Sequence, residues 1–191
     1  MNPSKLNLCD LVCVIDSREQ TPWNMAPMQT VCGGLHVGDY TIHGLESVIS
    51  IERKSLADFI MCCGSERQRF QRELDALRGW PVNAVIVEAT WGDLEMGSWR
   101  SRITSAAVRA SYCAWLAQGH RMILAGDAIR AASIAQGIMF HATRYRLREV
   151  SPLLAIQPEG AKKSEKITSA RILSMPKKQA THDRSMALGD S

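Results

Sequence analysis

The chain has 191 residues, 46% of them hydrophobic and 22% charged, with a formal net charge of +4. That length fits one domain of ordinary size, and that apolar share can fill a core, which excludes an intrinsically disordered chain. No apolar run approaches the roughly 20 residues that a membrane-crossing helix needs, so no membrane partner is expected. The opening "MNPSKLNLCDLVCVIDSRE" lacks the basic-then-apolar layout of a signal peptide, and a cytoplasmic protein is expected. The six cysteines, at positions 9, 13, 32, 62, 63 and 113, form no C-x-x-C and have no histidine at zinc-ligand spacing. They read as reduced thiols packed as small hydrophobes.

The charge is unevenly distributed. Residues 1–150 hold 16 Lys+Arg against 15 Asp+Glu, and 14 of those cations are Arg, whereas residues 151–191 hold 7 against 4. Arginine's flat fork pairs two phosphate oxygens at once, so the bias suits a nucleic-acid partner.

In chain order, "LVCVID" (residues 11–16) reads as a buried strand. "SREQTPWNM" follows as a loop broken by Pro22. "YTIH" and "VISIERK", separated by "GLES", read as a hairpin. "SLADFIMCC" reads as a short helix capped by Ser55 and ended by Gly64. A second helix is expected from Ser65, with Gln68 completing a capping box, a Phe70–Leu74–Leu77 apolar stripe and Gly79 as the stop. "NAVIVEAT" (83–90) is a core strand. Residues 106–118 are helical, "RMILAGD" is a strand, and a long helix starts near Ala128. The order β, ββ, α, α, β, α, β, α predicts an α/β domain over residues 1–150 with one mixed sheet. From Ser151 onward the apolar periodicity fades, and residues 151–191 read as a basic, mostly disordered tail.

The charges of "ISIERKSLADF" (49–59) stand out. On a strand, alternate residues share a face, so Glu52 and Lys54 point together with Arg53 opposite. Asp39 precedes the first hairpin strand; a hairpin closing at Gly44–Ser47 brings it near Glu52. Asp16 ends the first strand. Three carboxylates and an ammonium at strand ends suit phosphodiester hydrolysis: carboxylates hold Mg²⁺, the cation activates water and neutralises charge on phosphate, and a lysine steadies the transition state. Each residue also has a structural reading. Asp58 stands three after Ser55, as a helix cap would. Asp16 could cap a turn, and Arg53 could pair with a carboxylate or touch DNA. The tryptophan- and arginine-bearing stretch "EATWGDLEMGSWRSR" has the composition of a single-strand contact.

The stretch "GDYTIHGLESVISIERKSLAD" fits G-D-(spacer)-E-R-K-x-x-x-D and resembles the XPF-type structure-specific DNA endonuclease family. "VIDSRE", "SERQRFQREL" and "VNAVIVEAT" extend the resemblance across roughly Leu11–Glu149. It implies a restriction-endonuclease-like fold: a central mixed sheet flanked by helices. It implies a Mg²⁺-dependent DNA endonuclease, with Mn²⁺ as a substitute, acting on branched or flapped DNA in repair or recombination. Metal and catalytic positions then fall on Asp16, Asp39, Glu52, Lys54 and Asp58, with Arg53 inside the triplet, Asp16, Asp39 and Glu52 holding metal, and Arg18 and Arg69 on DNA. Glu73 stands where many members have Gln. The family also implies a helix-hairpin-helix module, of which residues 151–191 carry no sign, so grip on DNA is expected from the domain, the tail or a partner. The long helix is apolar on more than one side, and its small residues Ala131, Ala135 and Gly137 would let another helix approach closely; pairing through it, as a homodimer or heterodimer, is expected as well, and association with the nucleoid if the source is bacterial or phage. The rival reading is a non-cleaving DNA-binding module of the same fold that partners an active subunit.

Overall fold

The computed structural model describes residues 3–154; the rest, and with it the expected basic tail from residue 155 on, lies outside the described residues. Six strands form one sheet: β1 (Val12–Asp16), β2 (Gln29–Gly33), β3 (Tyr40–Ile42), β4 (Ile49–Ser55), β5 (Val82–Glu88) and β6 (Met122–Leu124), in the order β2-β1-β3-β4-β5-β6. β3 runs antiparallel to both its neighbours, and all other pairs are parallel, so the sheet is mixed, as the sequence implies. The helices are α1 (Leu56–Cys63), α2 (Arg67–Leu77), α3 (Trp91–Met96), α4 (Ser105–Ala117) and α5 (Ala128–Leu154). The last runs four residues past Val150, so the first residues assigned to the tail are helical.

Local chemistry explains most boundaries. Ser55 caps α1 by accepting from the Asp58 N–H at 3.1 Å, and Thr104 caps α4 by accepting from the Ala107 N–H at 3.2 Å. The expected Ser65–Gln68 capping box is not made. The chain after α1 turns through Gly64, and α2 begins only at Arg67, with Glu66 before it and no side-chain cap. Two elements were missed. β2 is an exposed edge strand with no alternation of burial. α3 lies in the stretch read as an exposed contact, where Thr90 and Asp93 form a capping box and Gly97, at φ +67°, ends it.

The sheet has a helix layer on each face. Ile49 and Ile51 of β4 and Ile86 of β5 point to a core shared with Tyr40, Ile42 and the α5 residues Ala131, Ala135 and Met139. Val85 and Val87 point the other way, to Phe59, Phe70, Leu74, Leu77, Leu94 and Trp115. Ala131 and Ala135 are fully buried, so these small residues, expected to admit a neighbouring helix, instead let α5 lie against its own sheet. On the other layer Phe70 packs edge-on against Trp115 with centroids 5.0 Å apart. Its truncation removes this ring contact between α2 and α4 and leaves a cavity in the layer. Phe70→Ala should therefore lower stability by about 3–5 kcal/mol, read from urea unfolding; a loss under about 1 kcal/mol would show that α2 is not anchored there.

Candidate active site

Strand directions gather the candidate residues at one edge of the sheet. Asp16 ends β1, Lys54 and Glu52 end β4, and Asp39 stands just before β3, which runs the opposite way. Backbone bonds extend the ladder one step beyond β3. The Asp16 N–H donates to the Asp39 carbonyl at 2.8 Å, and the Asp39 N–H donates to the Ile51 carbonyl at 2.8 Å. Asp39 is thereby fixed between two strands. Gly38 permits the approach: at φ +80° a Cβ there would meet Ser50 Oγ at 2.2 Å. Ser50, buried, donates that hydroxyl to the Val37 carbonyl at 2.8 Å.

A cleft of about 480 Å³ opens beside this edge, lined by Arg18, His36, Asp39, Glu52, Lys54, Arg69, Arg72 and Glu73 among others. Glu52 and Lys54 are 8% and 9% exposed and form an ion pair through Glu52 Oε1 and Lys54 Nζ. The ammonium also lies 5.4 Å from the Phe70 ring centroid and 3.6 Å from Glu73 Oε2. Burial, with Glu73 nearby, raises the Glu52 pKa against the pull of Lys54. Burial acts against the charge on Lys54, yet the adjoining Glu52 and Glu73 carboxylates raise its pKa above that of a free lysine, so it is an ammonium. Asp39 is pushed up to about 7 by burial and then by the Glu52 charge, although the Arg53 N–H donates to Asp39 Oδ2 at 2.7 Å.

Three expected site residues do not open to the cleft. Asp16, 2% exposed, accepts at Oδ1 from the Arg18 N–H at 2.9 Å and from Arg18 Nε at 2.7 Å, and at Oδ2 from the Leu35 N–H at 2.7 Å and from Arg18 Nη2 at 3.2 Å. With both oxygens so engaged it positions Arg18 and the 33–35 turn rather than standing free as a metal ligand. The Arg53 side chain points to the opposite face of β4, as alternation requires. There it donates to Glu88 at 2.7 and 3.3 Å, to Glu19 at 3.1 Å and to Thr21 at 2.7 Å. Only its backbone N–H reaches the site. Asp58 Oδ2 accepts from Ser55 Oγ at 2.6 Å, the capping alternative.

The expected DNA contacts Arg18 and Arg69 both reach the cleft, the latter held by Glu66 and Glu73. Arg72 and Glu73 join Arg69 on one stripe of α2, a spacing of three and four residues that the sequence displays. His36 had no sequence signal at all. Arg67 turns inward, with its guanidinium 5.0 Å from the Trp115 ring centroid and a 2.6 Å donation to Ser111 Oγ.

No trio of His, Cys, Asp or Glu is gathered at metal-binding spacing among the described residues. Mg²⁺ asks for less, one or two carboxylates completed by waters and substrate phosphates. Asp39 and Glu52 supply two, both lining the same cleft, and burial first and the Glu52 charge second disfavour the ionised form of Asp39, a cost that a cation held between the two would reduce. The donor set fits a hard divalent ion.

The solved structure of XPF from Aeropyrum pernix is similar to this chain, with a TM-score of 0.54 and 23% identity over 74% of this chain and 69% of that one. The structure of the same protein in complex with DNA aligns with a TM-score of 0.56 and 20% identity, covering 76% and 74%. No protein-family model matches the sequence, and no curated protein matches it. At these identities the likeness is one of fold, and it is the restriction-endonuclease-like fold that the sequence implies.

The Asp16 clamp has a pH signature. Arg18 and the Leu35 and Arg18 N–H groups hold the buried carboxyl down at about 2, below the usual value of about 3.9. A depressed carboxyl stabilises the fold fully above its unfolded pKa and loses that contribution as pH falls through the folded one. Asp16→Asn should cost about 1–2 kcal/mol at neutral pH, with Arg18 largely exposed and its share discounted. In urea unfolding the two proteins should converge below about pH 4; a gap unchanged near pH 2 would contradict the clamp.

Proposed function

We propose that the protein is a divalent-metal-dependent DNA endonuclease. The observation that carries the reading is the cleft in which Asp39, Glu52 and Lys54 meet beneath three arginines, Arg18, Arg69 and Arg72. Asp39 and Glu52 are the residues to hold the ion, Mg²⁺ in the first instance with Mn²⁺ as a substitute. When bound, such an ion supplies Lewis-acid stabilisation of the phosphate and lowers the pKa of an attacking water. The chain's own groups do the rest. The arginines at the rim take phosphate oxygens and set the backbone across the cleft. Lys54, kept charged by its carboxylate neighbours, faces the same space and can steady the developing negative charge. The Arg53 N–H fixes the direction of the Asp39 carboxylate, and Asp16 fixes Arg18. The neighbouring fold is that of an XPF solved in complex with DNA, which supports the choice of polymer. Branched or flapped DNA, as met in repair and recombination, is the substrate class we propose, on the motif resemblance.

Glu52→Gln and Asp39→Asn keep side-chain shape while removing the charge that a cation needs. Each should reduce Mg²⁺-dependent cutting of labelled fork, flap and Holliday-junction DNA by at least about a hundredfold, while DNA binding in EDTA persists. Cutting at near wild-type rate by either variant would refute the assignment. Tight binding without cutting by the wild type would identify a DNA-binding module that partners an active subunit.

We further propose pairing of two such domains through α5. Ile134 and Ile138 pack against the domain's own core and are only partly buried, Ile129 and Tyr145 are exposed, and a Cβ on Gly137 would have nothing within 4 Å. Light scattering should give twice the 21.2 kDa of one chain, and Tyr145→Glu should give a folded monomer. A monomeric wild type would refute the homodimer.

A further inference from the structure

Lys54 lies between two carboxylates, and one of them holds it. Glu52 Oε1 takes the ammonium, whereas Glu73 Oε2 stands 3.6 Å from it, beyond hydrogen-bond distance. That Glu73 oxygen is buried and has no hydrogen-bond partner among the described residues. Leaving such an atom without a donor is costly, and buried polar atoms without one call for a reason. Glu73 is not free to turn away. Its other oxygen, Oε1, is held by Arg69, and Arg69 is held in turn by Glu66, with Nε at 2.9 Å from Glu66 Oε2. Phe70, on the same helix, closes the space on another side of the ammonium. A small rotation of the lysine would therefore exchange one carboxylate for the other without taking the charge out of the cleft.

The exchange has a use if Glu52 binds a cation. An ammonium and a divalent ion compete for the same carboxylate, and a lysine displaced with no second acceptor would be a buried, unpaired charge. We propose that Glu73 is a positioning residue for Lys54: when Glu52 turns to the metal, Glu73 Oε2 receives the ammonium and keeps it facing the substrate phosphate. This inference rests on the nuclease reading of the same cleft. It gives Glu73 a task that glutamine, lacking the charge, would perform poorly.

The test is a double-mutant cycle on Mn²⁺ affinity, measured by calorimetry without DNA, with thermal unfolding as a check of folding. Glu73→Gln traps Lys54 on Glu52 and should weaken Mn²⁺ binding by about five- to tenfold. Lys54→Met removes the competitor and should tighten it. In the Lys54→Met background, Glu73→Gln should then change affinity by less than about twofold, because Glu73 acts through the lysine. Equal affinity of wild type and Glu73→Gln overturns the proposal. So does an equal loss in both backgrounds, which would make Glu73 a ligand or a mere source of field. A wild type that binds no Mn²⁺ is a different result: it removes the nuclease reading and this inference with it. Normal Mn²⁺ binding without the cycle removes the inference alone.

Discussion

The placement of a carboxylate and an ammonium together on one buried face of β4 constrains everything around them. Neither Glu52 nor Lys54 can be withdrawn from water alone, because an unpaired ion in that position costs several kcal/mol. Each is therefore paired with the other, and the surrounding elements supply the remaining partners. α2 brings Glu73 and the Phe70 ring to the lysine. β3 brings Asp39 beside the glutamate, where burial and like charge raise its pKa. The pairing leaves the cleft with an excess of carboxylate at its floor and of guanidinium at its rim. That polarity matches a cation below and a polyanion above.

The same strand shows how one residue in three can face a different problem. Arg53, between the paired ions, turns its side chain to the α5 side and there gathers Glu19, Glu88 and Thr21 into one network, with the Trp23 indole donating to Glu88 at 2.6 Å. This network pins the 17–28 loop to the ends of β4 and β5. Its only reach into the cleft is through the backbone, where the N–H aligns Asp39. The sequence triplet Glu-Arg-Lys thus combines two side chains facing the cleft with one that braces the opposite face. Asp16 and Arg18 form a similar brace at the end of β1, two strands away, the acid buried and the base held at the mouth of the cleft. Packing and function are connected here by hydrogen bonds rather than by proximity alone.

How much of this was legible in the sequence depended on the physics that placed each part. Period-two and period-three-to-four apolar patterns report burial, so β1, β4, β5, α1 and α4 were readable, as was the Phe70–Leu74–Leu77 stripe. Alternation also placed Glu52 and Lys54 on one face with Arg53 opposite, as found. β2 was missed because an exposed edge strand has no buried face to write a pattern. α3 was missed because its two turns, bounded by Thr90 and Gly97, are too short for periodicity and only the capping pair marks them. Asp16 and Asp58 are acids whose partners decide their role. Local sequence showed Ser55 beside Asp58 as an alternative, but the Leu35 N–H that engages Asp16 comes from 19 residues away and has no sequence signature. The same holds for the small residues of α5: sequence shows that they admit a close neighbour, not that the neighbour is the chain's own sheet.

On the proposed function, Asp39 and Glu52 share one divalent ion in this cleft. This sharing is tested most directly by anomalous diffraction from crystals of the protein soaked in Mn²⁺. One anomalous peak is expected within about 2.2 Å of a carboxylate oxygen from each of Asp39 and Glu52, with Lys54 moved off Glu52. A peak at Asp16 or elsewhere, or no peak while Lys54 stays paired with Glu52, would contradict it.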